Sequence, residues 1–165
     1  MKKITILLLV FTTFTYAQTP CENGLAGSYP CDGYDLLSHI TATEMGATGG
    51  NDSWGWTDPQ GGKEYAIVGL NNGTAFIDIT DPVAPVYLGK LPSQTGSATA
   101  RDIKTYNDYA FVVSDNNGNH GMQIFDLTRL RNVANPPVTF TTCLLYTTYA
   151  ADEEESVDLG GRRIV

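Results

Sequence analysis

The chain has 165 residues, with Lys+Arg 10 against Asp+Glu 18 and a formal net charge of −8. Because nucleic-acid binding needs a basic face that neutralises phosphates, this acidic balance argues against that class of partner. With 42% hydrophobic and 17% charged residues, 17 Gly and 8 Pro, the composition excludes a disordered acidic tail and a coiled coil, and it is typical of a turn-rich globular chain.

The first segment, 1–17, predicts a secretory signal peptide. Lys2 and Lys3 precede a short apolar run over 4–11, and the small residue Ala17 stands before the expected cleavage point. The apolar run is too short to span a bilayer, which takes about 20 residues. The mature protein is therefore expected to be exported.

An N-terminal cap segment is predicted over 18–50. Cys21 and Cys31 stand ten residues apart in it, and two cysteines in an exported chain favour a disulfide. The residues between them are turn-rich and offer little core, so the bridge is expected to staple a weak segment. A metal or redox role finds no support, since neither a Cys-x-x-Cys spacing nor a His cluster is present.

Residues 51–142 carry one pattern twice, which predicts two repeats over about 51–96 and 97–142. Tyr65-Ala66-Ile67-Val68 matches Tyr109-Ala110-Phe111-Val112, and 73–80 matches 121–128 after an insertion in the polar loop 115–120. Pro85-Val86 then corresponds to Pro137-Val138. Insertions at loop positions are what related repeats tolerate.

Each repeat predicts four short strands; in the second they are expected at 101–105, 109–114, 121–127 and 138–141. The middle strands are almost continuously apolar, which is typical of strands covered on both faces. Pairs such as Asn72-Gly73 and Asn107-Asp108 indicate hairpins. A four-stranded unit of this length fits a propeller blade. The predicted fold is all-β, a partial β-propeller with two antiparallel blades after the cap.

The repeat also carries a family resemblance. Residues 74–85 resemble the LVIVD repeat, an apolar strand ending in Asp and followed by Ile-Thr-Asp-Pro-x-x-Pro. The wider chain, from Cys21-Glu22-Asn23-Gly24 through 51–58 to 120–127, resembles the choice-of-anchor B family of exported bacterial propeller-like proteins, many from Bacteroidetes. The second repeat departs from the pattern, since Arg129-Leu130-Arg131-Asn132 replaces the Asp-Pro step.

This resemblance implies a Gram-negative bacterial protein that is secreted or held at the cell surface. It implies an N-terminal fragment of a longer propeller, from which the C-terminal anchor is missing. The family has no defined catalytic residues to carry over to this chain.

Residues 143–165 have a different texture, and two stretches of them resemble the translation of a sequencing-library adapter. An acidic run at 152–155 lies between these stretches. The alternative is a natural acidic tail. We predict that 143–165 is non-native and carries no function.

Four aspartates recur with the repeat: Asp58, Asp78, Asp102 and Asp126. A paired-carboxylate site is one interpretation. The other is structural, with each carboxylate accepting hydrogen bonds from the following turn and fixing the corner. Recurrence in each repeat favours the structural interpretation, because a single active site needs no copies.

Two other groups could bind ligands. Asp115, Asn117 and Asn119 offer oxygen atoms in one loop, as Ca²⁺ prefers, although Asn and Gly also populate such hairpins for their tolerance of positive φ. Calcium is the only cofactor that the sequence raises. Trp54 and Trp56 are two residues apart on one predicted strand, so their side chains point to the same face. They form either an aromatic binding rim or part of the blade packing.

The function predicted from these features is that of a non-enzymatic binding module. Its partner would be a protein or glycan at the cell surface, and the membrane would be reached only through the missing anchor. The alternative is an extracellular propeller hydrolase or lyase whose catalytic residues lie largely in the missing blades. Fold alone does not decide between them.

Overall fold

The computed structural model describes residues 18–142 and 144–146. The predictions for 1–17 and for most of 143–165 lie outside the described residues. The chain divides at Ser38 into two compact units. Residues 39–50 of the predicted cap segment, 18–50, belong to the second unit. Among the described residues, no helix has the length and apolar character needed to cross a membrane.

The first unit is organised around the Cys21–Cys31 disulfide, which confirms the predicted bridge. Strands β1 (Leu25–Ala26) and β2 (Tyr29–Pro30) form a small antiparallel hairpin inside the bridged loop. The Asp35 carboxylate accepts hydrogen bonds from the Cys21 amide, at 2.9 Å, and from the Gln18 side chain. These bonds lower the pKa of Asp35, so the carboxylate that links residue 35 to residues 18 and 21 is charged at neutral pH.

The second unit contains two sheets, and each follows one predicted repeat. The first sheet has the order β10-β6-β5-β4-β3 and is antiparallel except for β10. Its strands are β3 (Gly50–Thr57), β4 (Glu64–Leu70), β5 (Gly73–Asp78), β6 (Val86–Pro92) and β10 (Val138–Thr139). The second sheet has the antiparallel order β11-β9-β8-β7. Its strands are β7 (Arg101–Tyr106), β8 (Tyr109–Ser114), β9 (Met122–Asp126) and β11 (Leu144–Tyr146).

One predicted strand joins the other sheet. The fourth strand of the second repeat was expected at 138–141, beside its own repeat, but β10 pairs in parallel with β6 of the first sheet. The cause is the segment after β9, which folds into a 3-10 helix, Leu127–Asn132, and buries Leu127 and Leu130. This helix replaces the Asp-Pro turn of the first repeat and returns the chain to the first sheet.

The place beside β9 is taken by β11, which pairs with Met122, Gln123 and Ile124. Residues 144–146 lie in the segment predicted to be non-native. Strand pairing does not test where that segment comes from, so its origin stays a prediction.

The core lies between the two sheets. Tyr65, Ile67 and Phe76 of the first sheet meet the inward residues of the second, including Val112 and Phe125. Phe76, Phe125 and Phe140 form an aromatic cluster with ring centroids 4.4–5.4 Å apart. A second cluster covers the back of the first sheet, where Met45 and Ala47 pack on Leu70, Ala75 and Ile77.

The all-β prediction is confirmed by these two packed sheets. The described residues form no closed ring, so the propeller is a proposal that rests on the repeat.

Candidate functional site

The strands β3 and β7 lie side by side, and each is the edge strand of its sheet. Side chains, rather than a backbone ladder, join them. The Asp52 carboxylate accepts the Ile103 amide at 2.8 Å, and the Thr105 hydroxyl donates to the Gly55 carbonyl at 3.3 Å. Exposed side chains therefore remain along this junction, which is where a ligand could bind.

Trp54 is the largest exposed side chain of the junction, with 43% of its surface accessible. The Lys104 ammonium lies 3.9 Å from the centroid of its ring, a cation–π contact. Lys104 also donates to the Ile103 carbonyl at 3.0 Å, and its ammonium lies 4.0 Å from the Asp52 carboxylate. The indole is thus held in one orientation with part of its surface open to solvent.

Trp56, the second predicted rim residue, is only 6% exposed. Its ring stacks on Tyr65 with centroids 5.3 Å apart, and the Arg131 guanidinium lies 5.9 Å from it. Trp56 therefore follows the packing interpretation, and Trp54 alone stays a candidate for the binding rim. A tryptophan that packs between the sheets stabilises the fold and leaves little surface for a ligand.

Comparison with protein-family models, curated proteins and solved structures finds no match.

Asp58 is a structural carboxylate. It accepts the Gln60 and Gly61 amides at 3.0 and 3.2 Å, and the Arg131 guanidinium binds both of its oxygens, the closest at 2.7 Å. The bond from Arg131, together with the turn amides, lowers the pKa of Asp58, while the pKa of Arg131 is raised in return. The pair joins the β3–β4 loop of the first sheet to the 3-10 helix that follows the second.

Asp102 is not the counterpart of Asp58, contrary to the repeat prediction. The β3–β4 connection spans 58–63, whereas β7 and β8 are joined by Asn107-Asp108 alone. Because the first loop is longer, residues that precede β4 and β8 by the same number of positions do not occupy equivalent places in the two sheets. In the strand register Asp102 lies opposite Val113, and Asp52 occupies the same place in the bulge of β3.

The other two recurring aspartates fix corners, as the structural interpretation predicts. Asp78 accepts the Thr80 amide at 3.0 Å, and Asp126 accepts the Thr128 amide at 2.9 Å. Burial raises the pKa of Asp78, but its bonds to Lys63 and Thr80 outweigh burial and hold the pKa low. Both carboxylates are committed to local bonds, so the paired catalytic site gains no support.

The three calcium candidates lie in different environments. Asp115 and Asn119 are exposed, whereas Asn117 is buried, and its amide nitrogen donates to the hydroxyls of Ser93 and Ser114 at 3.2 Å each. Asn116 and Gly118 have positive φ, which agrees with the turn interpretation. No group of three or more acidic, His or Cys side chains in the described part of the chain is arranged to hold a metal.

One buried cation was not predicted from the sequence. Arg101 is 1% exposed, and it donates to the Leu70 carbonyl, to the Ser93 hydroxyl and to His120 Nε2, each at 3.0 Å. Within 18–142 and 144–146 no carboxylate lies at salt-bridge distance from it. Only an arginine in a strand marks this position in the sequence, and a strand arginine is ordinarily exposed.

Replacing Asp58 by Asn should lower the melting temperature at pH 7, because the charged bond to Arg131 is lost. Since the pKa of Asp58 is lowered in the folded protein, its contribution is present above the ordinary Asp pKa and is lost as the pH falls through the folded value. Melting curves of D58N and wild type should therefore converge at low pH. The matched control is D102N, which removes an exposed carboxylate and should melt like wild type throughout. Equal losses in D58N and D102N would contradict this assignment.

Proposed function

We propose that this chain is a non-enzymatic, exported binding module that contacts an extracellular ligand through Trp54. The observation that carries the proposal is the exposed indole, held by the Lys104 ammonium at the junction of two sheets. A large aromatic surface that is already oriented loses little conformational entropy on binding, which is why such residues dominate many interfaces.

A glycan is the ligand class that this surface fits best. The indole can stack on the C–H face of a sugar, while the Lys104 ammonium beside it can bond to sugar hydroxyls. A protein ligand is the alternative, and it would use the same aromatic anchor. The net charge of −8 supports a soluble surface with weak affinity for polyanions.

The disulfide supports a location outside the cytosol. An intramolecular bridge such as Cys21–Cys31 fits an exported protein, because thiols stay reduced in the cytosol. The propeller, the LVIVD resemblance and a surface anchor belong to this proposal as well. The two packed sheets, each built on the repeat, support these parts of the proposal. Three of the four recurring aspartates, Asp58, Asp78 and Asp126, are engaged in corners and loops, which favours a binding module over an enzyme.

The test is a glycan array probed with the full chain and with Trp54→Ala. Wild type should bind at least one class of extracellular polysaccharide, and W54A should bind it at least about tenfold more weakly, as expected for an aromatic anchor. The matched control is Tyr34→Ala, which removes an exposed aromatic side chain of the first unit and should bind like wild type. Absence of any glycan ligand, or equal binding by W54A, would rule out the glycan proposal.

A further inference from the structure

The second sheet has one apolar face that nothing in the described residues covers. Its inward face packs on the first sheet, but its outer face exposes Tyr106 by 71% and carries Tyr109, Val113, Phe111 and Ile124. The first sheet has no such face, since Met45 and Ala47 cover its back. An apolar patch of this kind marks an interaction surface.

The strand register shows that this outer face corresponds to the inward face of the first sheet. Trp56 lies opposite Tyr65 in the first sheet, and Tyr106 lies opposite Tyr109 in the second. Likewise Ile67 is paired with Phe76, and Phe111 with Ile124. The pairs of the first sheet form the face that packs on the second sheet. The outer face of the second sheet is therefore a copy of an interface that the chain already uses.

A polar contact repeats in the same way. Asp52 of β3 reaches the neighbouring edge strand and accepts the Ile103 amide at 2.8 Å. Asp102 occupies the same register position on β7, is exposed, and makes no hydrogen bond in the described part of the chain. Its carboxylate is placed to accept an amide from the edge strand of a sheet that would lie beyond it.

We infer that the outer face of the second sheet docks a third sheet of the same repeat, turned so that its back meets Tyr106 and Tyr109. That back would resemble the inward face of the second sheet, where Ala110, Val112 and Phe125 present small and apolar side chains. The partner is not the back of the first sheet of another identical chain, because Met45 and Ala47 already cover that surface. Such head-to-tail stacking of repeats buries a continuous core. The inference rests on the propeller repeat of the proposed function and not on ligand binding by Trp54, so either can fail without the other.

The experiment supplies that sheet in cis. In a tandem protein, residues 93–146 are repeated once directly after Tyr146, so that the added copy follows the second sheet as the second follows the first. Accessibility of Tyr106 and Tyr109 to nitration is then read by mass spectrometry. Because Trp56, the counterpart of Tyr106, is 6% exposed, we expect labelling of Tyr106 to fall about tenfold relative to the parent chain.

The matched control carries Val112→Asp in the added copy only, which places a charge on the docking back and should restore labelling to the parent level. Labelling that is unchanged in the tandem protein, or equally low in the control, would overturn the inference. An added copy that stays unfolded by circular dichroism would overturn it too, because a tethered sheet is present at millimolar effective concentration.

A second experiment tests whether the outer face is open in the parent chain. The parent should bind 8-anilinonaphthalene-1-sulfonate, and the double variant Tyr109→Lys with Val113→Lys should abolish that binding. Equal binding by the double variant would contradict the inference that this face is an exposed apolar surface.

Discussion

Replacing Gly89 by Ala should detach strand β10 from the first sheet and lower the free energy of unfolding by about 4 kcal/mol. Gly89 has a φ of +143°, and a Cβ built there would overlap the Val138 carbonyl oxygen. The Val138 amide nitrogen would lie 2.7 Å away. These are backbone atoms, so no side-chain rotation relieves the overlap, and β10 has to move.

The cost is large because β10 leads directly into the core. The Phe140 amide donates to the Lys90 carbonyl at 2.9 Å, and its ring packs edge-on against Phe76 and Phe125. Loss of a buried aromatic side chain from a core costs about 3–5 kcal/mol.

Urea unfolding measures the loss in Gly89→Ala, and hydrogen exchange shows whether the amides of 138–140 become unprotected. The matched control is Gly62→Ala. Gly62 also has positive φ, +68°, but nothing lies within 4 Å of the place that a Cβ would take, so only about 1–2 kcal/mol of backbone strain is expected. Equal losses in the two variants, or persistent protection at Val138, would show that the close approach is not what holds β10.

The path of β10 illustrates which part of the fold local sequence could predict. Val138-Thr139 has strand character and follows a proline, as Val86 does, and the structure forms a strand at both places. Local pattern indicates that a segment is extended, but the choice of neighbour depends on distant backbone, here the missing side chain at Gly89. The departure at 129–132 was visible in the sequence, and its consequence, a helix that redirects the chain, was not.

In the candidate site, too, contacts between residues close in sequence could be predicted and contacts between distant residues could not. Corner aspartates and the short disulfide loop depend on residues close in sequence, so Asp78, Asp126 and the Cys21–Cys31 bridge could be predicted. The equivalence of Asp58 and Asp102 failed because it counted residues across hairpin loops of unequal length. The Lys104 contact on Trp54 joins two sheets, and no local pattern specifies such a pair.

Stability should fall as the pH drops below about 6.5, because of His120. This side chain is 1% exposed, and its Nδ1 donates to the Gly121 carbonyl at 2.9 Å, which leaves Nε2 to accept from Arg101. Burial lowers the pKa of His120, and the neighbouring Arg101 charge lowers it further, against the opposing bonds to Gly121 and Gln123. A proton on Nε2 would remove the acceptor and place a second cation beside a buried guanidinium.

The direction follows from proton uptake. Below its ordinary pKa the histidine of the unfolded chain binds a proton that the folded protein refuses, so acid favours unfolding. One such proton changes the free energy of unfolding by up to about 1.4 kcal/mol per pH unit below that pKa. Carboxylates titrate mainly at lower pH, so the histidine contribution can be separated from theirs.

Urea unfolding of wild type, His120→Gln and His39→Gln between pH 7.5 and 5 tests the assignment. The sequence has two histidines, so His39→Gln is the matched control and should keep the full pH dependence. His120→Gln should lose most of it, since glutamine cannot take up a proton there, while its side-chain oxygen can still accept from Arg101. A flat wild-type profile, or a slope that disappears in His39→Gln instead, would mean that the bond between Arg101 and His120 does not govern acid stability.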